Sequence, residues 1–298
     1  MDAETDYQPR ARRVRLSTPT GDGEMAFFDY GPPERTPDIV FLHANGFNAR
    51  AYRTILAPLA SELRILTPDQ RGHGATGLPT DHPRTSWLDL KDDLLAFLRA
   101  MNLERVVLAG HSMGGTASLL ASAEAPEQVR ALALLDPVIL PPAAERPAAA
   151  GGLATASPMV QGATRRRREF PSKQAAVDAY RGRGAFRTWT EAMLADYVEA
   201  GFRERDDGLV ELTCSPEWEV SNYVNQQHDS WAAFEASRAP TWILRAELDS
   251  PGRLDGQIEG LTASGRIRID TVPGTTHFLP MERPELVREA LVWAVSQP

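Results

Sequence analysis

The residues most able to do chemistry are grouped around Ser112, in the run Gly110-His111-Ser112-Met113-Gly114. An apolar stretch precedes this run and a small-residue helical pattern follows it, which predicts a strand, a sharp turn and a helix with Ser112 at the turn. Glycine is needed two places on either side of the serine, because a Cβ atom there would clash with the strained turn. The N-terminus of the helix would favour an oxyanion beside the hydroxyl. Ser112 is therefore a candidate nucleophile.

A serine hydroxyl attacks poorly unless a base removes its proton, and the base needs a carboxylate to fix its tautomer and stabilise its charge. His277 lies in a loop after a predicted strand, where it could be that base. Three carboxylates also follow predicted strands: Asp136 follows one, and Glu247 and Asp249 follow another. Asp249 lies deeper in its loop, and the sharp turn Ser250-Pro251-Gly252 could hold its carboxylate. We expect Asp249 to be the acid, with Asp136 and Glu247 as alternatives.

The elements that would position these residues alternate between strands and helices. Short apolar runs, several of them typical of strands buried on both faces, predict strands at residues 14–17, 25–30, 39–42, 64–67, 106–109, 129–135, 241–245 and 266–272. Helical patterns occupy 50–61, 86–101, 112–123, 254–261 and 284–296, with Ser86 as a possible cap of the second. This alternation predicts an α/β fold with a mainly parallel, eight-stranded sheet and helices on both faces. Active sites in such sheets lie beyond the carboxyl ends of the strands, where all the candidate residues fall.

The character of the chain changes between residues 139 and 238. A stretch rich in Pro, Ala and Gly from Pro141 to Gly152 opens this part, and helical patterns follow near 172–182 and 189–201. Strand-like runs are few there, so we expect a mostly helical insertion. The core domain would then consist of residues 1–138 and 239–298. The arginine run 165–168 is expected to be a solvated helix face.

Composition narrows the class of protein. A net charge of −8 makes nucleic acid and anionic membranes unsuitable partners. The one cysteine, Cys214, excludes an intramolecular disulfide framework, and the scattered histidines lack the spacing of a zinc site. We expect no cofactor and no metal. The acidic first residues lack the apolar core of a signal peptide, and no uncharged apolar run reaches transmembrane length, so a cytoplasmic location is expected.

The sequence resembles the α/β-hydrolase superfamily over nearly its full length. The stretches that carry the resemblance are Phe41-Leu42-His43-Ala44-Asn45-Gly46, Asp69-Gln70-Arg71-Gly72-His73-Gly74, Gly110-His111-Ser112-Met113-Gly114-Gly115, Arg245-Ala246-Glu247-Leu248-Asp249 and Gly274-Thr275-Thr276-His277-Phe278. The resemblance implies Ser112 as nucleophile, His277 as general base and Asp249 as its partner, in the expected chain order. It also implies a helical cap after the sixth strand, at 139–238.

The resemblance further implies an oxyanion hole made by the backbone N–H of Met113 and an N–H of the Ala44–Asn45 segment. Family members often have His-Gly where this chain has His43-Ala44. We expect His43 and His111 to support loops, and His73 to brace a turn with Asp69 and Arg71. Candidates for the walls of a substrate pocket are Phe47, His111, Trp189, Trp218, Trp231, His228 and Phe278.

These features predict a serine hydrolase that cleaves a small carboxylic ester through an acyl-enzyme intermediate. The same triad could instead hydrolyse a lactone or a carbon–carbon bond, and spacing does not separate these reactions. Haloalkane dehalogenases and epoxide hydrolases attack with a carboxylate at the position of Ser112, so those activities are not expected. A non-catalytic binding protein of the same fold would have no use for all of Ser, His and Asp.

Overall fold

The computed structural model describes residues 7–141 and 157–298. Its strands, in chain order, are β1 (Arg10–Leu16), β2 (Gly23–Tyr30), β3 (Ile39–Leu42), β4 (Ile65–Pro68), β5 (Val106–His111), β6 (Val129–Leu135), β7 (Glu169–Phe170), β8 (Phe202–Glu204), β9 (Val210–Leu212), β10 (Thr241–Ala246) and β11 (Ile267–Val272). The α-helices are Arg53–Leu56, Leu88–Ala100, Met113–Glu124, Pro158–Thr164, Lys173–Tyr180, Glu191–Gly201, Pro216–Val224, Ser230–Ala236, Ile258–Thr262, Leu279–Glu282 and Pro284–Val295. Short 3-10 helices cover Ala49–Tyr52, Ala57–Leu59 and Gly184–Phe186.

Eight of the strands form one sheet in the order β1-β2-β4-β3-β5-β6-β10-β11. The pairs β1–β2 and β2–β4 are antiparallel, and the pairs from β4 to β11 are parallel. The predicted eight-stranded, mainly parallel sheet is confirmed. Because β5, β6, β10 and β11 are consecutive neighbours, their carboxyl ends bring the segments that follow them to one edge of the sheet.

The central strands supply apolar side chains to both faces of the sheet. In β3, Val40 belongs to one buried cluster and its neighbour Ile39 to the other. Successive residues of a strand point to opposite faces, so a strand made only of apolar residues must be covered on both sides. The helices Leu88–Ala100 and Met113–Glu124 cover the first face, and Pro284–Val295 covers the second. The expected helices on both faces are confirmed.

Three predicted helices differ from those observed. The segment 50–61 is a succession of short 3-10 and α turns, because Pro58 cannot donate the bond that would continue an α-helix. The next helix begins at Leu88, two residues later than predicted, with Trp87 in the cap position, and the hydroxyl of Ser86 accepts from the backbone N–H of Leu88 at 3.4 Å. In the segment 254–261, helix begins only at Ile258.

The chain between β6 and β10 combines helices with a small antiparallel sheet, β7-β9-β8. The helices predicted near 172–182 and 189–201 are confirmed as Lys173–Tyr180 and Glu191–Gly201. The small sheet was not predicted, because its strands have only two or three residues and show no alternating pattern. Most of the stretch from Pro141 to Gly152 lies outside the described residues. We call the described part, residues 157–238, the insertion.

Buried polar groups join the insertion to the core. Arg53 of the core donates from Nε to the carboxylate oxygens of Asp196, at 2.7 and 2.9 Å. The Nδ2 group of Asn48 donates to the carbonyl of Tyr197 at 2.9 Å. A buried pair that lost one partner would leave an uncompensated charge, so these contacts hold the helix Glu191–Gly201 in one place.

The arginine run does not form a solvated helix face. The helix before it ends at Thr164, and Arg166 turns inward with its guanidinium 2.7 Å from a carboxylate oxygen of Glu219. Burial would lower the pKa of Arg166, but the charge of Glu219 outweighs burial and raises it. The expectation is therefore wrong for Arg166, because a charge can be buried when an opposite charge is in contact with it.

Candidate active site

Ser112 lies at the sharp turn between β5 and the helix Met113–Glu124. Its backbone angles are φ 55° and ψ −119°, a conformation that costs a non-glycine residue about 1–3 kcal/mol. A Cβ atom on Gly110 would lie 2.5 Å from the carbonyl carbon of Gly114, and one on Gly114 would lie 2.5 Å from the carbonyl oxygen of Leu42. Both distances are too short, so the glycines flanking Ser112 meet the predicted steric requirement.

Three side chains form a continuous hydrogen-bonded series at the carboxyl edge of the sheet. The Nε2 atom of His277 lies 2.9 Å from Oγ of Ser112, and its Nδ1 atom lies 2.7 Å from Oδ2 of Asp136. A carboxylate only accepts, so Nδ1 carries the proton that is donated to Asp136. The bare Nε2 then accepts the hydroxyl proton of Ser112. This is the tautomer that a general base acting on the serine needs.

Asp136 follows β6 and is fully buried. Its other oxygen, Oδ1, accepts from the backbone N–H of Ala246 at 2.9 Å and from the hydroxyl of Ser250 at 2.6 Å. Burial alone would raise the pKa of Asp136. The hydrogen bond and charge of His277, together with the donors Ser250 and Ala246, outweigh burial and hold the pKa below its ordinary value. Asp136 is therefore an anion in the neutral pH range.

The structure corrects the expectation that Asp249 is the partner of His277. Asp249 is exposed, with φ 53°, whereas the next residue, Ser250, is buried and donates to Asp136. The sharp turn that was expected to hold Asp249 thus directs Ser250 inward instead. Glu247 is also exposed and accepts from the backbone N–H of Gly274 at 2.8 Å. Because β6 and β10 are neighbours in the sheet, both aspartates follow strands at the same edge, and the direction of the turn after β10 decides which one meets His277.

The expected oxyanion hole is corrected at one position. The backbone N–H of Ala44 donates to the hydroxyl of Tyr52 at 3.1 Å and so is already engaged. The backbone N–H groups of Met113 and Asn45 have no protein acceptor within the part of the chain that the structure describes. They therefore remain as candidate donors to an oxyanion, and Met113 is the first residue of its helix.

The side chain of Asn45 is held by the insertion. Its Nδ2 group donates to the carbonyl of Glu219 at 2.9 Å, and its Oδ1 atom accepts from Nδ2 of Asn222 at 2.8 Å. Asn222 is fully buried and also accepts from Nε1 of Trp87 through its carbonyl, at 3.0 Å. The loop that carries Asn45 therefore has its conformation set partly by residues of the helix Pro216–Val224.

Three histidines outside the series, His43, His73 and His111, are buried and hold loops, as expected. In the loop at 43–47, His43 accepts from the backbone N–H of Gln70 through Nε2 at 2.9 Å. His73 accepts from the backbone N–H of Gly46 at 3.0 Å. Burial lowers the pKa of His43 to about 4 and that of His73 well below its usual value, so both are neutral. Asp69 accepts from the backbone N–H of Ala49 at 2.8 Å, which braces the same region.

The candidate pocket residues separate into two groups. The ring of Phe47 lies among those of His111, Trp189 and Phe278, with centroids 5.9, 5.4 and 6.3 Å away. These four rings surround the point where the insertion meets the loop of His277. The other three candidates pack elsewhere: Trp218 donates to the carbonyl of Arg71, Trp231 donates to the carbonyl of Leu140, and His228 stacks on Trp87.

Sequence reasoning missed Tyr52, Ser250 and Asn222 as parts of this site. Tyr52 belongs to an apolar stripe, and its ring packs in the core as the stripe indicates. Its hydroxyl makes the hydrogen bonds to Ala44 and His111. Ser250 and Asn222 lie in a turn and on a helix, where such residues are common. No motif marked them, because each acts through a partner that is distant in the chain.

Two further observations concern metal binding and membrane-spanning helices. Within residues 7–141 and 157–298, the structure gathers no group of three or more His, Cys, Asp or Glu side chains that could hold a metal ion. The helices of the same residues include none with the length and apolar character needed to span a membrane.

Comparison with known proteins assigns the chain to a family. A model described as "Alpha/beta hydrolase family" matches residues 39–290, and the chain therefore belongs to the α/β hydrolase family. It is 24% identical over 261 residues to 2-(acetamidomethylene)succinate hydrolase of Mesorhizobium japonicum, with 86% of each chain covered. A shorter match, 36% identical over 87 residues, covers 29% of this chain and 32% of 3-oxoadipate enol-lactonase 1 of Acinetobacter baylyi.

Solved structures agree on the fold. The crystal structure of E-2-(acetamidomethylene)succinate hydrolase superposes with a TM-score of 0.77 at 19% identity, covering 96% of this chain and 99% of that one. A thermophilic esterase from Thermogutta terrifontis gives a TM-score of 0.68 at 20% identity, covering 96% of this chain and 100% of the esterase. The predicted resemblance and the α/β-hydrolase fold are confirmed. The named relatives support a hydrolase.

Proposed function

We propose that the protein is a serine hydrolase that cleaves a small carboxylic ester through an acyl-enzyme intermediate. Ser112 is the nucleophile, His277 the general base and Asp136 the carboxylate that orients the base. The observation that carries this proposal is the unbroken series from Asp136 through His277 to Ser112, with contacts of 2.7 and 2.9 Å. These residue types, in this order of contact, are what activation of a serine hydroxyl requires.

The reaction follows from the positions of the protons. Oγ of Ser112 attacks the ester carbonyl carbon while Nε2 of His277 takes its proton. The resulting oxyanion accepts from the backbone N–H groups of Met113 and Asn45. The intermediate collapses, the carbon–oxygen bond to the alcohol breaks, and His277 protonates the leaving oxygen. Water, deprotonated by His277, then attacks the acyl carbon and releases Ser112 and the carboxylic acid.

Asp136 remains ionised throughout this cycle. Its pKa lies below the ordinary value, since the donors around it outweigh its burial. An anion beside Nδ1 stabilises the imidazolium that forms each time Nε2 takes a proton. Asp136 therefore orients the base and balances its charge without itself being protonated.

A lactone is the second candidate substrate class. A lactone is an internal ester, so the same steps open its ring and leave the alcohol on the acyl product. The local similarity to an enol-lactonase favours testing this class. Labelling at Ser112 without turnover of any ester or lactone would favour carbon–carbon cleavage, and the absence of both labelling and turnover would favour a non-catalytic binding role.

We also propose that residues 139–238 act as a cap that helps to select the substrate, with 1–138 and 239–298 as the catalytic core. Two contacts support this role. Phe47 of the core packs against Trp189 of the insertion, and the side chain of Asn45 is bonded to Glu219 and Asn222. A substrate next to Asn45 would therefore meet side chains from both parts of the chain.

The test is covalent labelling combined with a substrate panel. A fluorophosphonate probe should label the protein at Ser112, located by mass spectrometry of the labelled peptide, and p-nitrophenyl esters or lactones should be turned over. Ser112→Ala should abolish both. Ser118→Ala is the matched control, because Ser118 is a buried serine of the helix that follows Ser112, and its hydroxyl donates to the carbonyl of Gly114. Labelling that persists in Ser112→Ala would refute the assignment.

A further inference from the structure

A second set of hydrogen bonds connects the backbone of Ala44 to the backbone of His277 through the side chains of Tyr52 and His111. The backbone N–H of Ala44 donates to the hydroxyl of Tyr52 at 3.1 Å. That hydroxyl lies 2.7 Å from Nδ1 of His111, and Nε2 of His111 lies 2.7 Å from the backbone carbonyl oxygen of His277. Tyr52 and His111 are both fully buried. We call the side chains of Tyr52 and His111 the relay.

The direction of each bond in the relay is fixed by chemistry. The carbonyl of His277 can only accept, so Nε2 of His111 carries a proton. Burial, and then the proximity of His277, lowers the pKa of His111 to about 3, so the ring is neutral and its Nδ1 atom is bare. The hydroxyl of Tyr52 must therefore donate to Nδ1. The oxygen of the same hydroxyl accepts from the N–H of Ala44.

The relay joins three segments that the reaction needs. Ala44 precedes Asn45, the candidate oxyanion donor, and His111 directly precedes Ser112. The carbonyl of His277 belongs to the residue that would act as base. A peptide plane is rigid, so the hydrogen bond to the N–H of Ala44 fixes the peptide plane that comes just before the one carrying the N–H of Asn45. Holding the carbonyl of His277 fixes the backbone from which its imidazole extends.

We propose that Tyr52 and His111 are positioning residues for catalysis. They hold the loop that carries Asn45 and the loop that carries His277 in fixed positions relative to Ser112. This inference rests on the proposed serine hydrolase function. Neither side chain touches the substrate in this role. Both act through the backbone of the residues that do.

Conservative substitutions can separate this role from simple core packing. Tyr52→Phe removes one hydroxyl and keeps the ring. His111→Gln can keep an N–H near the position of Nε2, whereas His111→Phe keeps only the ring volume. Tyr30→Phe is the matched control, because Tyr30 is a fully buried tyrosine of the same apolar cluster whose hydroxyl is not part of the relay.

The measurements are kcat and KM on the best substrate of the panel, the rate of fluorophosphonate labelling, and thermal unfolding. Misplacing reacting groups by about 1 Å costs about a hundredfold in rate. We expect Tyr52→Phe to lower kcat by about 10- to 100-fold, with KM changed by less than about threefold and labelling slowed in parallel. His111→Gln should be at least about tenfold faster than His111→Phe, and Tyr30→Phe should match the wild type.

The outcomes distinguish the two proposals. If the wild type labels at Ser112 while folded Tyr52→Phe keeps kcat within about twofold, the relay has no positioning role and the proposed function stands. Equal rates for folded His111→Gln and His111→Phe would likewise overturn the relay. If His111→Phe does not fold, the comparison of Tyr52→Phe with Tyr30→Phe decides. A wild type that neither labels nor turns over any substrate would overturn the proposed function, and the relay with it.

Discussion

Replacing Asp136 by Asn should abolish most of the activity while leaving the fold intact. The substitution is isosteric, but the two oxygens of Asp136 have different partners. Oδ1 accepts from the N–H of Ala246 and from the hydroxyl of Ser250, and Oδ2 accepts from His277. An asparagine has one accepting atom, and two donors compete for it on the Oδ1 side. Its oxygen will therefore occupy the Oδ1 position, and its NH₂ group will face His277.

That orientation puts His277 in the wrong tautomer. An NH₂ group donates, so Nδ1 of His277 must lose its proton and accept, and the proton moves to Nε2. Nε2 then faces Oγ of Ser112 as a donor and cannot take the serine proton. A triad with this defect loses about ten-thousandfold in kcat, which corresponds to about 5 kcal/mol of transition-state stabilisation.

The assay is steady-state turnover together with the rate of fluorophosphonate labelling. Asp249→Asn serves as the matched control, since it makes the same chemical change at an exposed position in the neighbouring loop. We expect its kcat to stay within about twofold of the wild type, because surface changes away from special features have small effects. Circular dichroism and thermal unfolding would show that Asp136→Asn is folded.

The reasoning would be refuted by the reverse pattern. If Asp249→Asn lost most of its kcat and folded Asp136→Asn kept a kcat close to that of the wild type, the contact between Asp136 and His277 would not be the one used in catalysis. If both variants kept full activity, the tautomer argument would fail, and with it a catalytic role for either aspartate.

Two further predictions concern the insertion and the buried histidines. Trp189→Ala should change the relative kcat/KM for short and long acyl chains by about tenfold, because Trp189 packs on Phe47 and a difference of about one methylene in a pocket changes kcat/KM by about 10- to 200-fold. Trp231→Ala is the control and should leave this ratio unchanged, because Trp231 packs away from Phe47. Equal selectivity in both variants would remove Trp189 from the pocket. Burial lowers the pKa of His43 from 6.5 to about 4, so the folded state favours the neutral form of this side chain. The resulting contribution to the free energy of unfolding is fully present above pH 6.5 and is lost as the pH falls through about 4. Urea unfolding should show the free energy of unfolding decreasing between these pH values, less steeply in a folded His43→Gln variant, and an equal slope in the two proteins would contradict the assignment.

Local patterns sufficed to predict much of this protein. The apolar runs predicted the eight strands of the sheet, and they did so most directly for central strands such as β3, because a strand buried on both faces must be apolar along its length. The glycines around Ser112 predicted the turn, because their steric requirement acts within a few residues. The position of His277 after a predicted strand brought it to the correct edge of the sheet. Each of these conclusions depends on interactions between residues close together in the chain, or on a rule that holds for every parallel sheet.

The choice between Asp136 and Asp249 depended on the tertiary structure. Both follow parallel strands, and the two strands are neighbours in the sheet, so the sequence offered equivalent positions. What separated them was the direction of one turn, which exposes Asp249 and sends Ser250 to the carboxylate of Asp136.

The supporting contacts were equally inaccessible to the sequence. The hydroxyl of Tyr52 reaches His111 across 59 positions of the chain, and Asn222 reaches Asn45 across 177. Arg166, one of four adjacent arginines, turns inward and is mostly buried because Glu219 lies against it. Composition and periodicity describe a residue by its neighbours in the chain. Hydrogen bonds and ion pairs between distant segments exist only once the chain has folded, and for that reason only the tertiary structure decided how this site is held together.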